Sequence, residues 1–431
     1  MRVLIVVWPL TAHLYPTLPV AWALQGAGHE VRVASHPDLT GTITAAGLPA
    51  VPLGTPETIA SPATVGEHLL PAGHRDRLAT ALGIDQDSDT DTDVWATVST
   101  YTLASSRVFH PVDGSAAHGW GGVDDLVAAA RDWRPDLVLW DPNWPAAAVA
   151  ARACGAAHGR VLWGRDYLGW ACHRIDRRHA ELAAAGLPDP VAEIVRPAAA
   201  RHGVPVDDDL LLGQFTLDPT PADMRLPSRA RTVPVRRIPY TGAAAVPSWL
   251  GARPGRPRVA LTLGATQRMF DNDKVLVPSL LEMVDGLDIE VIATLDTSQL
   301  AGQRLPDNVR AVDYLPLNLL LPSCSAIIHH GGIGTFTAAV AHRVPQLVVG
   351  DELRVAYAAN SAYAVRHGAG LAVDPQQQSV AEMRARFLRV LSEPSFQEGT
   401  RRLHADWLAM PSPNDTVPVL EKLTALHRTA R

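Results

Sequence analysis

Residues 322–349 read PSCSAIIHHGGIGTFTAAVAHRVPQLVV. Ser325 to His329 has the apolar density of a short buried strand, and His330-Gly331-Gly332-Ile333-Gly334-Thr335 is a glycine-rich turn. Phe336 to His342 reads as a helix, Pro345 ends it, and Gln346 to Val349 begins the next strand. A strand, a glycine turn and a helix start present unpaired N–H groups and the positive end of the helix dipole to one point, which suits an anion. Glycine lets the backbone approach a phosphate with no Cβ in the way, and His330 adds a further donor. The competing reading is a plain tight turn beside a core histidine. The spacing is not G-x-G-x-x-G, and no Gly-Lys-Ser/Thr follows, so neither a dinucleotide fingerprint nor a Walker loop is present.

Outward from this stretch, strands and helices alternate. Arg258 to Leu263, Glu290 to Thr294, Val309 to Asp313 and Gly370 to Val373 read as strands; Val275 to Met283, Ala356 to His367, Val380 to Leu391 and Thr416 to His427 read as helices. The first half repeats the plan. Strands are expected at Arg2 to Trp8, Glu30 to Ala34, Ala50 to Leu53, Asp136 to Trp140 and Gly159 to Trp163, with helices between them. Short alternation of this kind means parallel strands and crossover helices. The proline-, glycine- and alanine-rich stretch TGAAAVPSWLGARPGRP, residues 241–257, reads as a linker. The expected architecture is therefore α/β: two doubly wound, Rossmann-like domains facing across a cleft. Domain one spans 1–240 and domain two 258–410, and 411–431 is a C-terminal helix packing back on the first domain. Ligands of such sheets sit beyond the carboxyl ends of the strands.

The totals exclude several classes. With 431 residues, 47% hydrophobic and 19% charged, the chain has ample core for two domains. A net charge of -6 and the lack of a basic run argue against nucleic acid. Cys154, Cys172 and Cys324 make no zinc spacing and fit a reduced, cytoplasmic protein. Val3 to Val7 is too short for a membrane span and reads as the first strand, with no signal peptide expected. Pattern weakens between Gly54 and Gly122, where Val94 to Val108 has helical character. Asp85 to Asp93, DQDSDTDTD, lacks the glycine and glutamate of a calcium loop and reads as a solvated loop.

The chain resembles, over nearly its whole length, the GT-B-fold glycosyltransferases that attach deoxysugars to macrolide and aromatic polyketide antibiotics. The resemblance rests on PLTAHLYPTLPVAWALQGAGHEVRVAS after the first strand, on HHGGIGT with VPQLVV, on Leu212 to Pro219 (LGQFTLDP) and on Leu261-Thr262-Leu263-Gly264. It implies inverting, metal-independent transfer of a hexose-type deoxysugar from a dTDP-sugar to a polyketide-type aglycone in antibiotic biosynthesis, with no cofactor. The D-x-D triplets resemble the metal motif of another transferase class, but that motif follows a strand and this one does not. A UDP-sugar transferase or epimerase of the same fold, or a catalytically silent nucleotide-sugar-binding partner, are the alternatives.

Carried onto this chain, the resemblance gives His330 and the backbone of Gly332, Gly334 and Thr335 to the donor diphosphate, with Gly264 to Thr266 completing the cradle. Relatives often have serine where Ala265 stands, so Thr266 or main chain takes that role. Leu315 matches the position whose backbone faces the base, with an ordinary strand-end apolar residue as the competing reading, and Asn360 matches a polar donor contact. Relatives commonly carry an acid near Arg354 that binds sugar hydroxyls; either Asp351 or Glu352 takes over here, or the donor sugar differs. His13 is the expected general base, since inversion needs the acceptor deprotonated as it attacks. Asp141, at another strand end, is its expected orienting carboxylate; a turn aspartate before Pro142 is the competing reading. Candidate partners are a helper protein resembling a cytochrome P450 and a second copy of the chain.

Overall fold

The computed structural model describes residues 1–54, 72–84, 89–107, 122–252, 254–264, 276–300, 302–350 and 355–429. Thr266, Asp351, Glu352 and Arg354 lie outside them, as does most of the weakly patterned stretch. The chain divides into one unit of Met1–Arg236 with Pro411–Arg431 and another of Arg237–Met410. The residues 241–257, where the sequence reads as a linker, group with the second unit. There Tyr314 donates its hydroxyl to the Thr241 carbonyl, and Asn318 Nδ2 donates to Pro239 O at 2.6 Å.

The first unit holds seven strands: β1 (Arg2–Val6), β2 (Glu30–Ser35), β3 (Ala50–Pro52), β4 (Leu137–Trp140), β5 (Ala157–Val161), β6 (Phe215–Asp218) and β7 (Thr232–Pro234). They run β3-β2-β1-β4-β5-β6-β7, and every pair is parallel. β4, LVLW, is buried along its whole length, which is why it reads as a continuous apolar run and not as alternation; β5, AHGRV, is equally buried although it carries His158 and Arg160. The C-terminal helix Pro413–His427 belongs to this unit, where Glu421 meets His29 at 2.9 Å and Arg428 pairs with Asp136.

Between β5 and β6 lie the helices Tyr167–Arg177, His179–Ala184, Pro190–His202 and Asp208–Leu212, which the sequence reading left unassigned. Part of what anchors them is ionic. Arg160, fully buried on β5, forks onto both oxygens of Asp166 at 2.7 and 2.6 Å, and Asp166 also caps the helix that follows through Gly169 N–H. A buried arginine runs against hydrophobic patterning and is tolerated because its charge and donors are matched.

The aspartate-rich stretch also differs from expectation. Residues 85–88 lie outside the described set, but Asp89–Thr97 is a helix, and Asp91 pairs with Arg174 at 3.3 Å. The segment is helical although aspartate and threonine have low intrinsic helix propensity.

The second unit holds β8 (Arg258–Thr262), β9 (Glu290–Thr294), β10 (Val309–Val312), β11 (Ala326–His329), β12 (Gln346–Val349) and β13 (Gly370–Val373). Their order is β10-β9-β8-β11-β12-β13, again all parallel. Both sheets are doubly wound, so each reverses strand order once: at β1/β4 in the first and at β8/β11 in the second. Helix Pro394–Ala409 closes on this sheet through Gly399, where a Cβ would lie 2.0 Å from the Gly368 carbonyl oxygen. That neighbour is backbone and cannot rotate away. Gly399→Ala is expected to destabilise the protein by about 1–3 kcal/mol, read as a lowered denaturant midpoint; an unchanged midpoint would show that the helix shifts freely. Among the described residues no helix is long and apolar enough to cross a membrane.

Candidate active site

The two switch points carry the chemistry. At the first, β1 and β4 run in register from Val3 with Leu137 to Val6 with Trp140, so the loops that follow them start side by side. After β1 the chain turns into the one-turn helix Thr11–Leu14, which presents His13. After β4 the Asp141 N–H still bonds to Val6 O at 3.0 Å, extending the ladder by one residue and fixing the carboxylate. His13 Nδ1 and Asp141 Oδ2 are 2.8 Å apart, with both side chains almost fully buried. The other carboxylate oxygen accepts the Asn143 N–H at 2.9 Å. Asp141 is therefore the turn residue before Pro142 and the partner of His13 at once.

A carboxylate only accepts, so Nδ1 carries a proton, and the neutral form of the imidazole has its lone pair at Nε2. Trp8 and Trp163 flank the imidazole, with ring centroids at 5.2 and 5.0 Å. Nε2 lies 3.0 Å from the Tyr101 hydroxyl. The sequence reading singled out neither tryptophan and missed Tyr101, which stands far away in sequence and outside any motif. One local signal exists: Tyr101 lies in the π-helical turn Val98–Thr102, a geometry often found at functional sites.

At the second switch point, β8 and β11 pair from Val259 with Ala326 to Thr262 with His329. Gly264 follows β8 and His330 follows β11, and the two meet. A Cβ on Gly264 would lie 2.3 Å from His330 Cε1, and one on Gly332 would lie 2.4 Å from His330 Nε2. The imidazole fits because both neighbours are glycine, and it meets Tyr357 edge-on at 5.0 Å. Gly332 is the N-cap of helix Ile333–His342 and offers no capping side chain, so the first N–H groups of that helix are left for another acceptor. Gly334 and the buried Thr335 lie in its first turn. Arg237 reaches this turn, its guanidinium 3.7 Å from where a Gly334 Cβ would stand.

The turn is held from beneath by a residue that sequence reading left as one of the strand's core positions. His329 Nδ1 accepts the Gly331 N–H at 3.1 Å, which puts its own proton on Nε2, toward Gln346 Oε1 at 2.9 Å. Burial keeps this ring neutral, pushing its pKa down to about 4. Asn360 donates Nδ2–H to the Gly331 carbonyl at 2.8 Å. Both polar groups of Gly331, whose φ is 88°, are thus fixed. Leu315 contributes its side chain to a buried apolar cluster with Leu250, Leu317 and Leu320. Among the described residues no group of three or more potential metal ligands occurs.

The chain matches the model for the N-terminal domain of erythromycin biosynthesis protein CIII-like proteins over residues 22–264, and that for the C-terminal domain over 278–423. It is 42% identical to an aclacinomycin-T 2-deoxy-L-fucose transferase from Streptomyces galilaeus, covering 100% of this chain and 98% of that protein. It is 41% identical to a tylactone mycaminosyltransferase from Streptomyces fradiae, covering 100% and 94%. Among solved structures it resembles the glycosyltransferase VinC in complex with dTDP, with a TM-score of 0.81, 35% identity and coverage of 99% and 100%.

Proposed function

This chain belongs to the erythromycin biosynthesis protein CIII-like family of glycosyltransferases, and from that premise we propose that it moves a deoxysugar from a dTDP-sugar to a polyketide-type aglycone by inverting, metal-independent transfer. The observation that carries this reading is the pairing of two built sites, one at each switch point. His13, oriented by Asp141, takes the acceptor proton. The donor diphosphate is held by His330, by the backbone N–H groups of Gly332, Gly334 and Thr335, and by the Arg237 cation. Gly264 gives the His330 ring its room, and Thr266 or main chain takes the role of the serine that relatives often have at Ala265. Asn360 acts through Gly331, holding the turn. The backbone at Leu315 faces the nucleotide base, and Asp351 takes the sugar hydroxyls. We place the reaction in the cytoplasm.

Inversion follows from a single displacement. The acceptor oxygen attacks the anomeric carbon from the face opposite the diphosphate, and the C–O bond to the phosphate breaks. The acceptor proton ends on His13, whose imidazolium is then stabilised by Asp141. Leaving-group charge falls on a helix N-terminus and two basic side chains, which is the electrostatic help a diphosphate needs. The intact His13–Asp141 pair argues against a silent binding protein.

Titration calorimetry with dTDP and with UDP tests the donor site, and tylactone and aclacinomycin T are the first acceptors to try. Assays run with and without a P450-like helper protein. Binding of dTDP at least about tenfold tighter than UDP, a gap of about 1.4 kcal/mol, is expected. A preference for UDP would sink the dTDP reading, and epimerised donor with no glycoside formed would replace transfer by epimerisation.

A further inference from the structure

The general-base reading of His13 leaves one feature unexplained. Its basic nitrogen is already engaged: Nε2 sits 3.0 Å from the Tyr101 hydroxyl. With Nδ1–H toward Asp141, the neutral imidazole accepts at Nε2 and the phenol donates. The imidazole is enclosed. Trp8 and Trp163 flank it, Asp141 takes one nitrogen, Tyr101 takes the other, and the residue is only 3% exposed. Tyr101 itself is half-buried, whereas His13 and Asp141 are almost fully buried. Trp163 meets its ring edge-on at 6.2 Å, and the π-helical turn Val98–Thr102 sets its position.

We propose that Tyr101 is a catalytic residue, a phenol relay through which the acceptor hydroxyl gives its proton to His13. The inference rests on the base reading of His13 and deepens it. In the transfer step the acceptor oxygen bonds to the anomeric carbon, and the bond from that carbon to the diphosphate oxygen breaks. The acceptor proton passes to the Tyr101 oxygen as the Tyr101 proton passes to His13 Nε2. Tyr101 ends as it began, His13 ends as an imidazolium beside Asp141, and the electron pair leaves with the nucleoside diphosphate. A relay also explains how a base sealed under two indoles serves a bulky acceptor.

The test compares Tyr101→Phe and His13→Ala with wild type in single-turnover assays on tylactone or aclacinomycin T, whichever is glycosylated. The slow hydrolysis of a dTDP-deoxysugar, with water in the acceptor's place, gives the same comparison. Both variants are expected to lose about 10²-fold or more in rate, the contribution of general base catalysis, while keeping dTDP affinity. Wild-type rates in mixtures of light and heavy water should curve with deuterium content, since two protons move together, and a merely structural phenol would leave the plot straight. A Tyr101→Phe enzyme as fast as wild type, or faster, beside a slow His13→Ala enzyme would overturn the relay and leave the base reading standing; the phenol would then only plug the base. A fast His13→Ala enzyme would remove both. Should Tyr101→Phe fail to bind dTDP, 3,5-difluorotyrosine at the same position keeps the hydroxyl but acidifies it. A rate changed several-fold then supports the relay, and an unchanged rate overturns it.

Discussion

His13→Ala is expected to lower the rate of glycosyl transfer by about 10²–10⁴-fold while leaving dTDP affinity near that of wild type. That loss is roughly 3–5 kcal/mol of transition-state stabilisation, at 1.36 kcal/mol for each factor of ten. The two readouts separate because His13 lies at the switch point of the first sheet and the glycine turn at that of the second. Asp141→Asn should be nearly as damaging for a subtler reason. The carboxylate accepts Nδ1–H and so leaves Nε2 unprotonated, facing the Tyr101 hydroxyl. An amide that turns its NH₂ toward Nδ1 selects the opposite tautomer, with Nε2 protonated and no base. In hydrolytic triads this exchange costs about 10⁴-fold. Measured transfer rates decide the matter together with calorimetry on the same preparations. Full activity in His13→Ala would remove the base assignment whatever the family; loss of dTDP binding in the same variant would mean a structural failure instead.

The second large effect is expected at the glycines around His330. Gly332→Ala puts a methyl 2.4 Å from His330 Nε2, and Gly264→Ala puts one 2.3 Å from Cε1. In either variant the imidazole must leave its place. If it donates to the diphosphate, losing that charge-assisted bond costs about 1.5–3 kcal/mol, or roughly 10- to 150-fold in dTDP affinity. The two variants differ in a second respect. Gly332 has φ -60°, which alanine adopts freely, so its effect is purely steric. Gly264 has φ +81°, where a side chain adds about 1–2 kcal/mol of backbone strain. Gly264→Ala should therefore weaken binding and also lower the denaturant midpoint, whereas Gly332→Ala should mainly weaken binding. His330→Ala is the control: it should match the affinity loss of Gly332→Ala with little loss of stability. Wild-type dTDP affinity in all three would assign the turn a structural role only.

Much of this molecule was legible in its residues because parallel sheets leave strong local marks. A strand buried on both faces is a continuous apolar run, as in Leu137–Trp140 and Ala326–His329, and the helices between such runs carry one apolar stripe. Glycine turns are legible for a similar reason: only glycine tolerates the φ of Gly264 and Gly331. His13, Asp141 and His330 stood out because each follows a readable strand, where an α/β sheet presents its ligands. The helices between β5 and β6 were missed, since their anchor, Arg160 on Asp166, depends on pairing between residues that patterning treats as surface. The helix Asp89–Thr97 was hidden because its aspartates and threonines have low intrinsic helix propensity.

The sequence by itself determined two doubly wound sheets, a glycine-rich anion turn, and a histidine and an aspartate at strand ends. Those features follow from local periodicity and backbone freedom. Only the tertiary structure decided which groups meet. It brought the His13 and Asp141 side chains to 2.8 Å across the β1/β4 switch, and set Gly264 and Gly332 close against His330. It also gave the Gly331 amide to His329, its carbonyl to Asn360, and Nε2 of the base to Tyr101. Contacts between residues far apart in the chain are fixed by strand order and register, and no local pattern encodes them.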